Sequence, residues 1–452
     1  MTRISLLVLL ATLTTLGMET PDSTAIVTFN KDVFPILENN CQNCHRPGGI
    51  APMSLMTYES TRPWAKAIKA KVLSKQMPPW FAEAGGAPLR NAPQLTTTDM
   101  TTLATWADSG AREGDAVKPR QTRQWADGWR TQPDVVISME TPYSVNATGP
   151  GEIKRFLIPS PFTEDTWVTS IEIRPGDPSV VHHAIVELGG PMPPKTVGLP
   201  DGSEVKADVM VAADVSSSGG SYSDQFATGP GTFTTMEAVY APGTQPLNFA
   251  YTNSAKLIQG GKWIRLEVHY TPNGKPTMDK TMVGFTLAKT PAQRRFVIMA
   301  PDHLADMRKP IPAGAANYQT RGELKFKQDV DIAWFMPHMH LRGKDMTFEL
   351  DYPKGQNETV LTARFNFHWQ LGYELEKPIH VPKGTKLIVT AHHDNSRNNP
   401  NNPDATKPVD WGDLTAQEMM VPWFGVIVDG DSNPESIASY KQRGFESEVI
   451  FH

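Results

Sequence analysis

The sequence predicts a multidomain protein with a small all-α domain at the front and all-β sandwich domains behind it. Helical periodicity is confined to the first quarter, with apolar positions such as Trp64, Ile68 and Val72. From Val135 onward, short β-prone runs alternate with Pro and Gly, a spacing typical of a sandwich or jelly roll. The 39 prolines and 34 glycines of the 452 residues also indicate turn-rich β structure, and this length suffices for two or three domains.

Charge and the first residues bear on location and partners. The net charge is −5 with no basic stripe, which argues against a nucleic-acid partner. After Arg3, a mainly apolar run from Ile4 to Leu16 is too short for a bilayer span and suits a signal-peptide core. No A-x-A cleavage site precedes Pro21, so residues 1–24 are a signal peptide or a retained anchor. We expect an exported, periplasmic protein, on the membrane only if that segment is retained.

The most specific motif is Cys41-Gln42-Asn43-Cys44-His45, which is C-x-x-C-H. In this pattern two thiols attach a c-type haem and the histidine becomes the proximal iron ligand. A thioredoxin-like pair and half of a zinc site are the alternatives, but the chain has no second C-x-x-C for zinc. The pattern therefore predicts one covalently attached haem at Cys41, Cys44 and His45.

A sixth iron ligand should lie downstream of this motif. Met77 follows the helical pattern at a proline-stiffened turn, Gln76-Met77-Pro78-Pro79, which suits a fixed thioether. Met53 and Met56 compete for the role, and each could instead fill the core. A further helix begins near Thr98 and contains Trp106. Residues 28–113 resemble a small cytochrome c domain, which we place at residues 25–118, followed by a linker at 119–133.

The first β segment contains two sets of histidines. His182 and His183 are adjacent in an apolar strand, where regular alternation sends one ring to each face, so a shared metal requires an irregular strand. Pro175 to Pro178 just upstream make such an irregularity plausible. His269 lies on the polar face of another strand and is either solvated or the third nitrogen of a His₃ site.

The second β segment contains His338 and His340, two residues apart. Strand alternation places both rings on one face, where they can offer two nitrogens to one metal ion. Downstream comes Gln417-Glu418-Met419-Met420. Paired nitrogens with a thioether form a soft site that suits copper. A second adjacent pair, His392 and His393, is expected either to support metal ligands by hydrogen bonding or to lie at the surface.

In their order along residues 134–431, these motifs resemble the copper type II monooxygenases, which include peptidylglycine α-hydroxylating monooxygenase and dopamine β-monooxygenase. The resemblance implies two consecutive jelly-roll domains, here residues 134–290 and 291–452, with one copper ion each. It assigns the electron-supplying copper to His182, His183 and His269. It assigns the oxygen-binding copper to His338, His340 and Met419, with Met419 preferred over Met420 because the family's ligand directly follows a glutamate.

Departures from the family pattern bear on the substrate. The peptide-amidating branch has an arginine two residues before the His-x-His motif, where this chain has Met336, and polar residues after the methionine, where it has Val421 and Trp423. An apolar or aromatic C–H donor is therefore expected.

The resulting expectation is an exported copper-dependent monooxygenase that hydroxylates a C–H bond of a small organic substrate with O₂. Electrons come from a donor such as ascorbate or are relayed through the fused haem. The alternative is a non-catalytic electron-transfer or copper-handling protein.

Overall fold

A computed structural model describes residues 26–116, 128–149, 151–189, 196–198, 204–206, 233–300, 309–412, 415–442 and 445–448. No helix within these residues has the length and apolar character needed to cross a membrane. The predicted export segment, residues 1–24, lies outside the described residues.

The N-terminal part, residues 26–116, contains the helices and is called the helical segment. A π-helical turn at Phe29–Val33 leads into α1 (Phe34–Asn40), and α2 (Tyr58–Thr61), a 3₁₀ turn (Arg62–Trp64), α3 (Ala65–Leu73) and α4 (Thr97–Asp108) follow. Thr96 and Asp99 form a reciprocal capping box that fixes the start of α4. Trp106 of α4 is fully buried, and its indole N–H is satisfied by the Arg112 carbonyl at 2.9 Å.

Two β segments follow. The first contains thirteen strands: β1 (Val135–Ser138), β2 (Tyr143–Val145), β3 (Glu152–Pro159), β4 (Thr166–Arg174), β5 (Val181–Gly189), β6 (Thr196–Gly198), β7 (Glu204–Lys206), β8 (Phe233–Tyr240), β9 (Leu247–Asn248), β10 (Lys256–Ile258), β11 (Trp263–Tyr270), β12 (Thr277–Asp279) and β13 (Met282–Leu287). The second contains ten: β14 (Arg294–Met299), β15 (Tyr318–Phe326), β16 (Val330–Met339), β17 (Gly343–Asp351), β18 (Asn357–Arg364), β19 (Tyr373–Val381), β20 (Lys386–His393), β21 (Met420–Asp429), β22 (Ala438–Gln442) and β23 (Phe445–Glu448).

The strands form four larger antiparallel sheets. In the first β segment their orders are β1-β13-β4-β10, with β9 also on β4, and β3-β11-β5-β8. In the second they are β14-β21-β16-β19 and β18-β17-β20-β15-β22-β23. Two-stranded pairs, β2 with β12 and β6 with β7, complete the described strands.

The sheet β14-β21-β16-β19 is apolar on both faces. Because side chains alternate along a strand, Trp334 and Met336 of β16 face one way and Phe335 the other. Phe335 belongs to the core of the second β segment, whereas Trp334 and Met336 join the core of the first. The two β segments therefore do not bury separate cores.

The helical segment also shares a core with the second β segment. After α3 the chain runs along that segment: Ala82 pairs with Ala363 and Leu89 with Leu375. Trp80 packs edge-to-face on Tyr373, with ring centroids 5.2 Å apart. This stretch adds apolar area to the edge of a sheet, whereas the helices bury a core of their own, which includes Leu37, Leu103 and Trp106.

The predicted fold class, a small all-α cytochrome c-like domain followed by two jelly-roll domains, is wrong. The structure is mostly β, with 40% strand and 14% helix, and its helices are short. One of its four larger sheets, β14-β21-β16-β19, contributes buried residues to the cores of both β segments. The physical reason is shared burial: each β domain was expected to bury its own apolar face, but Trp334 and Met336 of the second β segment are buried in the core of the first.

Candidate metal centre

The first three histidines meet where β5 pairs with β11. His183 lies directly opposite His269, and the next pair is Tyr270 with Val181, so the register shifts by one residue and His182 is left as a β-bulge. A bulge re-aims the side chain of the extra residue. This is the irregularity that two adjacent histidines need to approach one point.

The three rings form a compact set of nitrogen donors. One nitrogen from each of His182, His183 and His269 lies within 4.8 Å of the others, and all three residues are buried. Burial lowers the pKa of His182 to about 3 and that of His269 to about 4, and it holds the pKa of His183 well below its usual range. All three imidazoles are therefore neutral near pH 7, which is the form that binds metal ions.

His338 lies in β16 on the face that carries Trp334 and Met336, and His340 follows Met339, the last residue of this strand. The His338 ring centroid lies 5.6 Å from that of His183 and 5.4 Å from that of His340. The sequence suggested two separate three-ligand sites, but the structure brings all five histidines into one buried group, here called the five-histidine cluster.

Neighbouring acceptors indicate which ring nitrogen is available in several of these histidines. His182 Nε2 lies 3.0 Å from the Phe367 carbonyl, so Nε2–H donates and Nδ1 keeps its lone pair. His338 has the opposite arrangement, because its Nδ1 lies 2.6 Å from Gln370 Oε1. His340 Nδ1 lies 3.3 Å from the Gln417 carbonyl, so Nε2 keeps its lone pair in both His338 and His340. These assignments follow from the hydrogen-bond partners.

One loop between β18 and β19 contacts both sets of histidines. Phe367 stacks on the His182 ring, with centroids 4.2 Å apart, and the buried Gln370 binds His338. Gln370 Nε2 also donates to the Phe367 carbonyl at 3.3 Å. Residues 366–370 are therefore a shared support for His182 and His338. Sequence spacing does not indicate this role, because Phe367 acts through its carbonyl and ring and Gln370 through its amide.

Glu418 supports the other end of the cluster. Its buried carboxylate accepts the backbone N–H groups of His340, Arg342 and Met419. Burial raises the pKa of the Glu418 carboxyl to about 7, although these three donors act in the opposite direction. The sequence analysis used this glutamate only as a marker of the adjacent methionine.

Strand alternation separates the two candidate methionines. Met420 pairs with Met339 and is buried in the core, and its sulfur accepts a hydrogen bond from Thr320 Oγ1 at 3.1 Å. Met419 directly precedes the first residue of β21, where continued alternation from Met420 would place it on the face of His338 and His340, and it is only partly buried. This geometry favours Met419 as the residue available to a metal ion.

His392 and His393 lie outside the five-histidine cluster. His392 pairs with Asp345 at 2.6 Å, and the fully buried His393 contacts Thr320 Oγ1 through Nε2 at 3.2 Å. Both positions agree with the expectation of a supporting or surface role.

The C-x-x-C-H residues lie in a turn after α1, where the His45 N–H donates to the Cys41 carbonyl at 3.0 Å. Cys41 and Cys44 are not joined by a disulfide, and burial raises the pKa of the Cys41 thiol to about 12. His45 Nδ1 lies 3.3 Å from the Met53 carbonyl, which leaves Nε2 for an iron ion. Met53 packs against the core of the helical segment with its carbonyl at His45 Nδ1, whereas Met77 is partly buried in the bend after α3.

A series of contacts joins the C-x-x-C-H turn to the five-histidine cluster. Asn43 Nδ2 donates to Gln245 Oε1 at 3.3 Å. Close by in the chain, Gly243 packs so tightly on Trp369 that an added Cβ would lie 2.9 Å from its ring. Trp369 belongs to the loop that supports His182 and His338.

No family model matches the sequence, and no curated protein matches it. Among solved structures, a recombinant peptide: N-glycanase F is similar over 68% of this chain and 99% of its own, at 9% identity and a TM-score of 0.27. A peptide-N(4)-(N-acetyl-beta-D-glucosaminyl) asparagine amidase covers 66% of this chain and 97% of its own, at 9% identity and a TM-score of 0.26. The structure of the infectious bursal disease virus Gt strain is similar over 71% of this chain and 79% of its own, at 10% identity and a TM-score of 0.17. We draw no conclusion about fold or activity from TM-scores this low.

Proposed function

We propose that this protein is an exported copper-dependent monooxygenase that hydroxylates a C–H bond of a small organic substrate. The observation that carries the proposal is the grouping of His182, His183 and His269, with donor nitrogens within 4.8 Å of one another. Three neutral imidazoles at this spacing match the donors that copper ions accept.

The donor set fits copper better than Mg²⁺ or Ca²⁺, and a methionine ligand would be unusual for zinc. Besides the histidines, Met419 directly precedes β21 at the position that alternation gives to the face of His338, and a thioether is a soft ligand that Mg²⁺ and Ca²⁺ do not use. When bound, copper would supply the one-electron chemistry and O₂ activation that the side chains cannot perform. The protein's own contribution is to hold the rings: Phe367, Gln370 and Glu418 fix His182, His338 and His340.

The surroundings of His338 support an apolar or aromatic substrate. Trp423 stacks on the His338 ring with centroids 5.1 Å apart, and Val421 lies directly opposite His338 in the sheet. Met336, which stands where the peptide-amidating branch has an arginine, is buried in the core. No cationic group therefore comes from these three positions to bind a substrate carboxylate.

The C-x-x-C-H turn fits covalent haem attachment, with Cys41 and Cys44 as thioether positions and His45 Nε2 as the iron ligand. When bound, haem would supply a one-electron reservoir. The contacts Asn43–Gln245 and Gly243–Trp369 link this turn, through residues 243–245, to the loop 366–370 that supports His182 and His338. We propose that reducing equivalents reach the histidines along this side of the molecule, from the haem or from a donor such as ascorbate.

Elemental analysis with a pyridine haemochrome spectrum tests the metal content of the purified full chain. We expect one haem iron and two copper ions per chain, together with substrate-dependent O₂ uptake and a hydroxylated product from a panel of small aromatic and aliphatic compounds. Met419→Ile should abolish the hydroxylation and leave the haem spectrum unchanged. Protein that contains iron but binds no copper would overturn the proposal.

One observation favours the alternative, a non-catalytic electron-transfer or copper-handling protein. The five histidines are only 3–8% exposed, whereas a substrate must come close to a catalytic metal. Under this alternative the protein binds copper and exchanges electrons, but no compound in the panel increases O₂ uptake. If the protein is an enzyme, we expect the substrate to approach the histidines from the side of Met419, which is only partly buried.

A further inference from the structure

Asp279, the last residue of β12, carries a fully buried carboxylate outside the five-histidine cluster. One oxygen accepts the backbone N–H groups of Gly176 at 2.8 Å and Asp177 at 3.0 Å. The other oxygen accepts the hydroxyls of Tyr270 at 2.8 Å and Thr281 at 2.7 Å. Burying a carboxylate costs much free energy unless hydrogen-bond donors satisfy it, and these four donors come from three separate parts of the chain. The carboxylate therefore ties these three parts together.

The first oxygen fixes the turn that leads into β5. Gly176 and Asp177 lie between the end of β4 and the start of β5. The turn also packs directly on the residue after Asp279, because a Cβ added to Gly176 would lie 2.5 Å from the Lys280 backbone nitrogen. The path of the chain is thus set shortly before His182, which is the second residue of β5.

The second oxygen fixes the end of β11. Tyr270 is the last residue of this strand and directly follows His269. Its ring is fully buried and stacks on Tyr143, with centroids 5.0 Å apart, while its hydroxyl donates to Asp279. One carboxylate therefore sets the position of Tyr270 relative to the turn before β5.

The two ends that this carboxylate holds lie next to the bulge at His182. On one side of the bulge, Tyr270 pairs with Val181. On the other side, His269 pairs with His183. A slip of one residue sends every side chain of a strand to the other face, so the pairing depends on where each strand is held. Without the bulge, the adjacent rings of His182 and His183 would point to opposite faces.

We propose that Asp279 is a positioning residue of the metal site. It holds the start of β5 against the end of β11 in the register that places His182 in the bulge, so that the three imidazoles approach one point. Asp279 does not touch the metal ion in this role and acts through the two strands that carry the ligands. A metal site binds well only when the surrounding residues hold its ligands in the productive geometry. The inference rests on the proposed copper site at His182, His183 and His269 and does not depend on hydroxylation.

Copper binding by three variants of the full chain tests this role. Asp279→Ala removes the acceptor of all four hydrogen bonds, and Tyr270→Phe removes only the donor that belongs to β11. Competition with a chelator should show weaker binding of one of the two expected cuprous ions in both variants, by about tenfold or more in Asp279→Ala. Asp279→Asn should retain most of the affinity, because its amide oxygen can accept the two backbone N–H groups and its NH₂ group can donate to the hydroxyls.

The matched control is Thr281→Val, which removes a hydroxyl from the same carboxylate oxygen as Tyr270→Phe does. The described hydrogen bonds of Thr281 join it to Asp279 and Met139, and none of them reaches β5 or β11. Thr281→Val should therefore lower the free energy of unfolding in urea but leave the copper affinity unchanged. Equal losses of copper affinity in Tyr270→Phe and Thr281→Val would overturn the proposal. This comparison decides the matter if circular dichroism shows that Asp279→Ala does not fold.

A measurement without metal separates this inference from the proposed function. In copper-free protein with isotope-labelled histidine, the ring nitrogen NMR signals of His182, His183 and His269 should shift in Asp279→Ala and Tyr270→Phe. They should stay at their wild-type positions in Thr281→Val. Unshifted signals in folded Asp279→Ala would overturn the positioning role, whatever the copper content. A wild type that binds no copper, together with the expected shifts, would overturn the proposed function and support the positioning of the histidines.

Discussion

Gln370 Oε1 lies 2.6 Å from His338 Nδ1, and the same glutamine donates from Nε2 to the carbonyl of Phe367, which in turn faces His182. One buried side chain thus connects a histidine of the second β segment with the residue that orients a histidine of the first. The cluster depends on this link because the two histidines belong to different sheets.

Gln370→Leu should weaken metal binding without unfolding the protein. Leucine fills a similar volume but cannot accept a hydrogen bond from the His338 Nδ1–H group. The His338 ring is then free to rotate and to change tautomer. Outer-shell changes of this kind typically cost about 10–100-fold in metal affinity. Competition with a chelator for cuprous ions measures the loss. Gln370→Glu keeps an acceptor oxygen and should restore much of the affinity, and equal losses in both variants would contradict the orienting role.

His183→Ala should affect both sets of histidines at once. Its ring lies between His269 and His338, at 4.9 and 5.6 Å, whereas the described ring contacts join His340 only to His338. Elemental analysis measures the copper stoichiometry, and chelator competition measures the copper affinity. We expect weaker copper binding at both proposed copper sites in His183→Ala and at one of them in His340→Ala. The control His392→Ala lies outside the cluster and should retain both ions. Loss of one ion only from His183→Ala would mean that the two sites are independent.

Local patterns predicted the faces of the histidines but not their meeting. Period-two alternation placed His338 and His340 on one side of β16, and the adjacent pair at His182 required an irregularity, which is the observed bulge. The approach of His183 to His338 depends on how two sheets from distant parts of the chain pack together. No local spacing encodes that packing.

The same limit explains the incorrect fold class. Two consecutive jelly-roll domains would each bury their own core, and Trp334 and Met336 lie within the predicted second domain. In the structure they are buried in the core of the first β segment. Likewise, Trp80 follows a haem-domain helix in the chain but packs on the second β segment. The apolar character of these residues predicted that they are buried. Only the tertiary structure shows which part of the chain they pack against.

Glu418→Gln should destabilise the fold near His340. The carboxylate accepts three backbone N–H groups through two oxygens, whereas an amide offers one oxygen and places an NH₂ group against a donor. A buried backbone N–H left without an acceptor costs about 1–3 kcal/mol, so the free energy of unfolding should fall by this amount in urea denaturation. The exposed Glu358→Gln is the matched control. An unchanged free energy of unfolding would show that the three bonds contribute little.

His393 should make stability depend on pH. Burial lowers its pKa to about 3, from 6.5 in an exposed histidine. Below pH 6.5 this histidine is protonated in the unfolded chain, but it stays neutral in the folded protein until about pH 3. Its contribution to the free energy of unfolding is therefore fully present above pH 6.5 and is lost as the pH falls. The slope approaches about 1.4 kcal/mol per pH unit. Urea unfolding between pH 8 and pH 5 should therefore give a flatter curve for His393→Gln. The curves should run parallel above pH 7, and parallel curves down to pH 5 would contradict the prediction.

Met77→Leu should remove the sixth iron ligand in haem-loaded protein. The Met53 carbonyl faces His45 Nδ1 at 3.3 Å, which places residue 53 on the ring side opposite to the iron-binding Nε2. A thioether from the other side of the haem must come from elsewhere, and Met77 lies in the bend after α3. The visible absorption spectrum of the reduced protein should therefore change in Met77→Leu, with a lower reduction potential because thioether ligation raises it. Met53→Leu has the same change in side-chain volume and should keep the wild-type spectrum. A spectral change in Met53→Leu or Met56→Leu, with none in Met77→Leu, would assign the ligand to that methionine instead.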